Sequence, residues 1–77
     1  MDNTILLVDD EAGIRKVLGI SLQDSGYDVH TAANAKAALR IFEEIAPPIV
    51  LTDIKMPDMD GIELLQRIKK QNRWRHS

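Results

Sequence analysis

Three aspartates stand where apolar runs stop. Thr4-Ile5-Leu6-Leu7-Val8 ends at Asp9-Asp10, and Ile49-Val50-Leu51-Thr52 ends at Asp53, inside the stretch LTDIKMPDMDG that also carries Asp58 and Asp60. A carboxylate at a strand tip is a turn former, a helix cap, a metal ligand or a nucleophile. The chain has no cysteine, so thiolate metal sites and cysteine nucleophiles are excluded. The hard oxygens that remain favour Mg²⁺, Mn²⁺ or Ca²⁺, and a site with one or two direct carboxylates and several waters suits Mg²⁺ best. A divalent ion beside Asp53 would also let a phosphate approach an otherwise repellent anion, which makes Asp53 a candidate acyl-phosphate nucleophile.

These side chains need elements to carry them. Thr4 to Val8 is apolar throughout and too short for a helix, which predicts a strand covered on both faces. Ile14, Val17, Leu18 and Leu22 recur at helical spacing up to Ser25-Gly26, with Gly26 the residue just past the helix end. Tyr27 to Ala32 alternates Tyr27, Val29 and Thr31 with the polar Asp28 and His30, the pattern of a half-exposed edge strand. Asn34 caps a second helix whose stripe is Ala35, Ala38, Leu39, Phe42 and Ile45, stopped by Pro47-Pro48. Ile49 to Thr52 is again apolar on both faces, and Asp60 with Glu63 forms a capping box for a helix carrying Ile62, Leu65 and Ile68.

Strands alternating with helices imply an α/β fold with right-handed crossovers and a parallel sheet. The half-polar second strand belongs at an edge and the other two read as interior, giving the order 2-1-3. All strand C-terminal ends then point the same way, so Asp9, Asp10 and Asp53 meet where the chain changes direction, the place at which open α/β sheets bind ligands. Two like charges about 4 Å apart repel by about 4 kcal/mol at an effective dielectric near 20. A cation relieves that repulsion.

The bulk numbers narrow the classes. With 77 residues, 44% hydrophobic and 29% charged, the chain is at most one small globular domain. Ten basic and twelve acidic side chains give a net charge of -2, which offers no bulk attraction to nucleic acid. Absent cysteine fits a reducing cytoplasm. No apolar run approaches the roughly 18 residues of a membrane span, and the start MDNT lacks the basic flank of a signal peptide. A cytoplasmic protein that binds neither membrane nor nucleic acid is the expectation. Residues 71–77 (QNRWRHS) show no periodicity and are expected to form an irregular tail.

ILLVDDE, the spacing to IVLTDIKMPDMDG and the intervening strand YDVHTA together resemble the receiver domain of two-component response regulators, in particular the kind found in NtrC-like transcriptional regulators. The resemblance runs from about Thr4 to about Lys70. It implies a flavodoxin-like fold of five βα units, of which this sequence holds the N-terminal three, so that 1–77 is a single partial receiver domain. It also implies a signalling module rather than an enzyme, which takes a phosphoryl group from a histidine kinase onto aspartate with Mg²⁺ bound. Asp53 matches the phosphoacceptor, Asp10 a direct metal ligand, Asp9 a ligand acting largely through water, and Lys55 the position whose backbone carbonyl completes the metal site. The family relays phosphorylation through a Thr or Ser after a fourth strand and a Lys after a fifth. Neither strand is in this sequence, so switching is expected to be impaired.

Two alternatives stand beside this reading. One is a non-signalling truncated receiver that acts as an interaction or dimerisation module. The other is a Mg²⁺-dependent phosphohydrolase, which would need a D-x-D pair at the first strand and a general acid two residues after Asp53, where Lys55 stands instead. A third strand composed as interior but lacking an outer neighbour would present an open edge, so a homodimer or higher oligomer through that edge or by swapped elements is expected. Of the remaining polar residues, Asp58 and Asp60 read as loop and capping residues, and Asp10 as a partial cap of the first helix. His30 and His76 are not phosphodonors. Lys69, Lys70, Arg73 and Arg75 complement a helix C-terminus. Trp74 folds back onto the sheet or marks a partner contact.

Overall fold

The computed structural model describes residues 2–53, 56 and 58–70. Six elements follow in order: β1 (Thr4–Val8), α1 (Ala12–Asp24), β2 (Asp28–Ala32), α2 (Ala35–Ile45), β3 (Ile49–Thr52) and α3 (Gly61–Lys69). The three strands form one parallel sheet in the order β2-β1-β3, as the sequence predicts. The register sets Leu6 beside His30 and Val50, and Val8 beside Ala32 and Thr52. On the opposite face Ile5 stands beside Val29 and Ile49, and Leu7 beside Thr31 and Leu51.

The first of these faces holds the core. Leu6, Val8 and Ala32 pack with Ala35, Ala38 and Phe42 of α2 and with Leu64 and Ile68 of α3, all buried. Each large side chain among them stabilises the fold by about 1.5–3 kcal/mol on leaving water. Asn34 Oδ1 accepts the Ala37 N–H at 2.8 Å, which caps α2 as expected. The helix closes on Ala46, whose N–H donates to the Phe42 carbonyl from a left-handed backbone (φ 42°), and Pro47 prevents its continuation. Gly26 takes φ 97° just past the end of α1, a conformation that glycine adopts without strain.

Two helix faces depart from the periodicity. The α1 stripe does not form a core: Ile14, Val17 and Leu18 are exposed, Leu22 is half-buried, and Gly19 is the buried residue of the helix. A Cβ built on Gly19 would stand 4.0 Å from Thr31 Cγ2, so α1 seats itself on β2 through its glycine. Leu18 is left beside Leu7 and Leu51, with Ile14 and Val17 next to it, and no described element covers them. In α3 the buried residues are Gly61, Leu64 and Ile68, while Ile62 is 58% exposed. Both sets share helical spacing. Hydropathy favours Ile62 and Leu65, whereas the buried face of the helix takes in Gly61 and Leu64.

β3 lies at the sheet edge among the described residues, and its Ile49 and Leu51 are exposed. No helix among the described residues is long and apolar enough to cross a membrane. Residues 71–77, with Arg73, Trp74, Arg75 and His76, lie outside the described residues, as does the expectation of an irregular tail there.

Candidate functional site

The β-ladder itself brings the aspartates together. Val8 ends β1, and its carbonyl accepts the N–H of Asp53 at 3.0 Å; the N–H of Asp9 reaches the Ala32 carbonyl at 3.1 Å. Asp9 and Asp53 therefore follow neighbouring strands at the same C-terminal rim of the sheet. One carboxylate oxygen from each of Asp9, Asp10 and Asp53 lies within 4.8 Å of the others. Asp9 is buried, and Asp10 and Asp53 are exposed.

The β1–α1 turn is held from two sides. Asp9 Oδ1 accepts the Glu11 N–H at 2.9 Å, and Arg15 Nη1 donates to the Asp9 carbonyl at 2.7 Å. Asp10 does not cap α1: the capping position belongs to Glu11, which makes no side-chain cap bond, and it is Asp9 that satisfies the Glu11 N–H. Because Asp9 takes the backbone donor, Asp10 stays turned to solvent beside Asp53. The positive end of α1 faces this rim and favours negative charge there. Beside the cluster, a cavity of about 140 Å³ opens between Leu7, Leu18 and Leu51, with Asp9 and Asp53 on its wall.

Of the residues singled out from sequence, Asp9, Asp10 and Asp53 converge, and Lys55 lies outside the described residues. Asp60 Oδ1 accepts the Glu63 N–H at 2.7 Å and so caps α3, while the Glu63 carboxylate pairs with Arg67 at 3.2 Å. His30 stands away from the cluster, 3.6 Å from Asp28. Arg15 escaped the sequence reading, and Asp58, read there as a loop or capping residue, caps a helix distant in sequence. Arg15 carries a legible signal, since a cation in the first turn of a helix opposes the dipole and so implies a specific partner. Asp58, whose two oxygens accept the Ala35 and Lys36 N–H groups at 3.2 and 3.1 Å, carries none, because its partners lie more than twenty positions away.

The donor set is three carboxylates with no sulfur or imidazole, a fit to a hard divalent cation. Comparison with known proteins agrees with this geometry. The family described as response regulator receiver domain matches residues 5–76. Sporulation initiation phosphotransferase F of Bacillus subtilis is 46% identical over 90% of this chain and 56% of its own length. A chemotaxis response regulator of Vibrio cholerae superposes with a TM-score of 0.90 at 33% identity, over 95% of this chain and 61% of that one. Response regulator protein TrrA from Thermotoga maritima, solved in complex with Mg(2+)-BeF, gives a TM-score of 0.86 at 40% identity, over 94% of this chain and 62% of that one. The chain thus spans about three-fifths of the length of these three proteins.

Proposed function

Because the chain belongs to the response regulator receiver domain family of two-component systems, we propose that Asp53 accepts a phosphoryl group from a histidine kinase with Mg²⁺ held at Asp9, Asp10, Asp53 and the backbone carbonyl of Lys55. The observation that carries this reading is the convergence of three carboxylate oxygens within 4.8 Å at the sheet's C-terminal rim. An Asp53 carboxylate oxygen attacks phosphorus, an O–P bond forms, and the P–N bond to the kinase imidazole breaks. The imidazole keeps the electron pair and takes a proton from solvent. A bound Mg²⁺ supplies positive charge that offsets the repulsion between the phosphoryl oxygens and the carboxylates. Asp9 is fixed by the Glu11 N–H and by Arg15, so its carboxylate is oriented before any ligand arrives. The 140 Å³ cavity beside Asp53 leaves room for the incoming group. The Thermotoga relative solved with Mg(2+)-BeF supports the choice of cation.

The test uses acetyl phosphate as donor. Wild type incubated with it and Mg²⁺ gains one phosphoryl mass by intact-mass spectrometry, and Asp53→Ala gains none. An adduct that persists in Asp53→Ala, or none in wild type, overturns the reading. The protein acts as a signalling acceptor in the cytoplasm, not as a turnover catalyst.

A second reading rests on exposure. Ile49 and Leu51 on an edge strand, with Ile14, Val17 and Leu18 exposed on the same side, favour a module that also self-associates.

A further inference from the structure

The loop that leaves Asp53 is tied to an element distant in sequence. Met56 and Met59 pack against the core, and between them Asp58 turns outward to the start of α2. Its Oδ1 accepts the Ala35 N–H at 3.2 Å and its Oδ2 the Lys36 N–H at 3.1 Å, while Asn34 Oδ1 takes the next donor, at Ala37. The three first-turn N–H groups of α2 are thereby shared between two side chains. Asn34 alone suffices as the local cap. The bonds of Asp58 do something else, since they join the β3–α3 loop to α2.

These bonds close a circuit around the carboxylates. Asp53 is joined to Val8, the next residue Asp9 is joined to Ala32 at the end of β2, and α2 begins three residues later at Ala35, where Asp58 returns the chain to the loop after Asp53. Asp53 and Asp58 are each held by directed hydrogen bonds, Asp53 to Val8 and Asp58 to the start of α2. Methionine packing at Met56 and Met59 holds depth but little direction, because thioether contacts are adaptable. We propose that Asp58 is a positioning residue for the Asp53 site: its bidentate hold on the Ala35 and Lys36 N–H groups fixes the start of α2, three residues past the Ala32 carbonyl that anchors Asp9, and so steadies the alignment of Asp9 and Asp10 with Asp53.

Asp58 also carries an electrostatic mark of this hold. Desolvation raises its carboxyl, and the Lys36 and Ala35 N–H groups, with its own N–H and the Lys36 charge, more than reverse this and leave it below its ordinary value. The carboxylate form is the one that accepts from both amides.

The inference rests on the phosphoacceptor reading of the site, and the test separates the two. Mg²⁺ binding is measured by titration calorimetry, acetyl phosphate uptake by intact mass, and amide hydrogen exchange at Ala35 and Lys36 without metal. Asp58→Ala is expected to speed exchange at both amides and to weaken Mg²⁺ binding about tenfold, the lower end of what residues supporting metal ligands contribute. Phosphoryl uptake slows with it, and far-UV circular dichroism is unchanged. Asp58→Asn, which keeps one acceptor oxygen, falls between. If Asp58→Ala lowers the melting temperature yet binds Mg²⁺ and takes up phosphoryl as wild type does, Asp58 is a cap alone and the proposal is overturned. Should Asp58→Ala fail to fold, Asp58→Asn decides, and wild-type Mg²⁺ affinity in that variant overturns it equally. A wild type that neither binds Mg²⁺ nor takes up phosphoryl overturns the reading of the whole site, and this inference with it.

Discussion

The N–H of Asp53 donates to the carbonyl oxygen of Val8 at 3.0 Å, so the last rung between β3 and β1 is also the bond that places Asp53 beside Asp9. Fold and site therefore share a hydrogen bond. Anything that slips the β1–β3 register by one residue turns Asp53 to the other face and dissolves the carboxylate cluster.

That shared geometry makes affinity and stability oppose each other at Asp10. Asp10→Asn removes one of three clustered negative charges. At an exposed site this relieves about 0.5–1 kcal/mol, raising the metal-free melting temperature by a few degrees. The same change weakens Mg²⁺ binding about tenfold or more. Thermal melts with and without Mg²⁺ read both effects; a metal-free melting temperature that falls contradicts the expectation.

Core substitutions separate the two helix faces. Phe42→Ala is expected to cost about 3–5 kcal/mol, because a fully buried ring leaves a cavity, and in a domain this small that approaches the whole stability. Val17→Ala, on the exposed stripe of α1, is expected to change stability by no more than about 0.5 kcal/mol in either direction. Urea unfolding followed by circular dichroism ranks the pair.

Acid should weaken the hold of Asp58 on α2. Its folded value lies below 3.8, so its stabilisation is fully present above 3.8 and is lost as pH falls through the folded value. The melting-temperature gap between wild type and Asp58→Asn is expected to be constant near neutral pH and to close well below 3.8. A gap that widens in acid would reverse the sign.

Self-association is expected at the β3 edge. Light scattering behind size exclusion at low micromolar concentration should show a species larger than a monomer, and Leu51→Lys should shift it toward the monomer by placing a charge on that edge. A well-folded wild-type monomer at that concentration would remove the self-association reading and leave the phosphoacceptor reading standing.

Much of this was legible in residue order. Apolar Thr4 to Val8 and Ile49 to Thr52, the half-polar β2, and the caps at Asn34 and Asp60 announced the elements, because each signal is local. The strand order followed from comparing strand polarity, and the order then predicted the convergence of Asp9, Asp10 and Asp53. The α1 stripe misled because periodicity shows which residues share a face without showing what lies opposite. Gly19, invisible to hydropathy, is the buried residue by which α1 stands against β2.

The sequence by itself determined which residues are carboxylates at strand ends, since strand, turn and cap preferences act over a few residues, and its motifs carried the resemblance to the receiver family. Only the tertiary structure decided that Asp58 reaches α2 and that Gly19 of α1 stands against Thr31 of β2. Those choices depend on distances between segments up to twenty-three residues apart. Such distances are fixed when the sheet register and the seating of Gly19 on β2 bring the segments together in space, and no local preference encodes them.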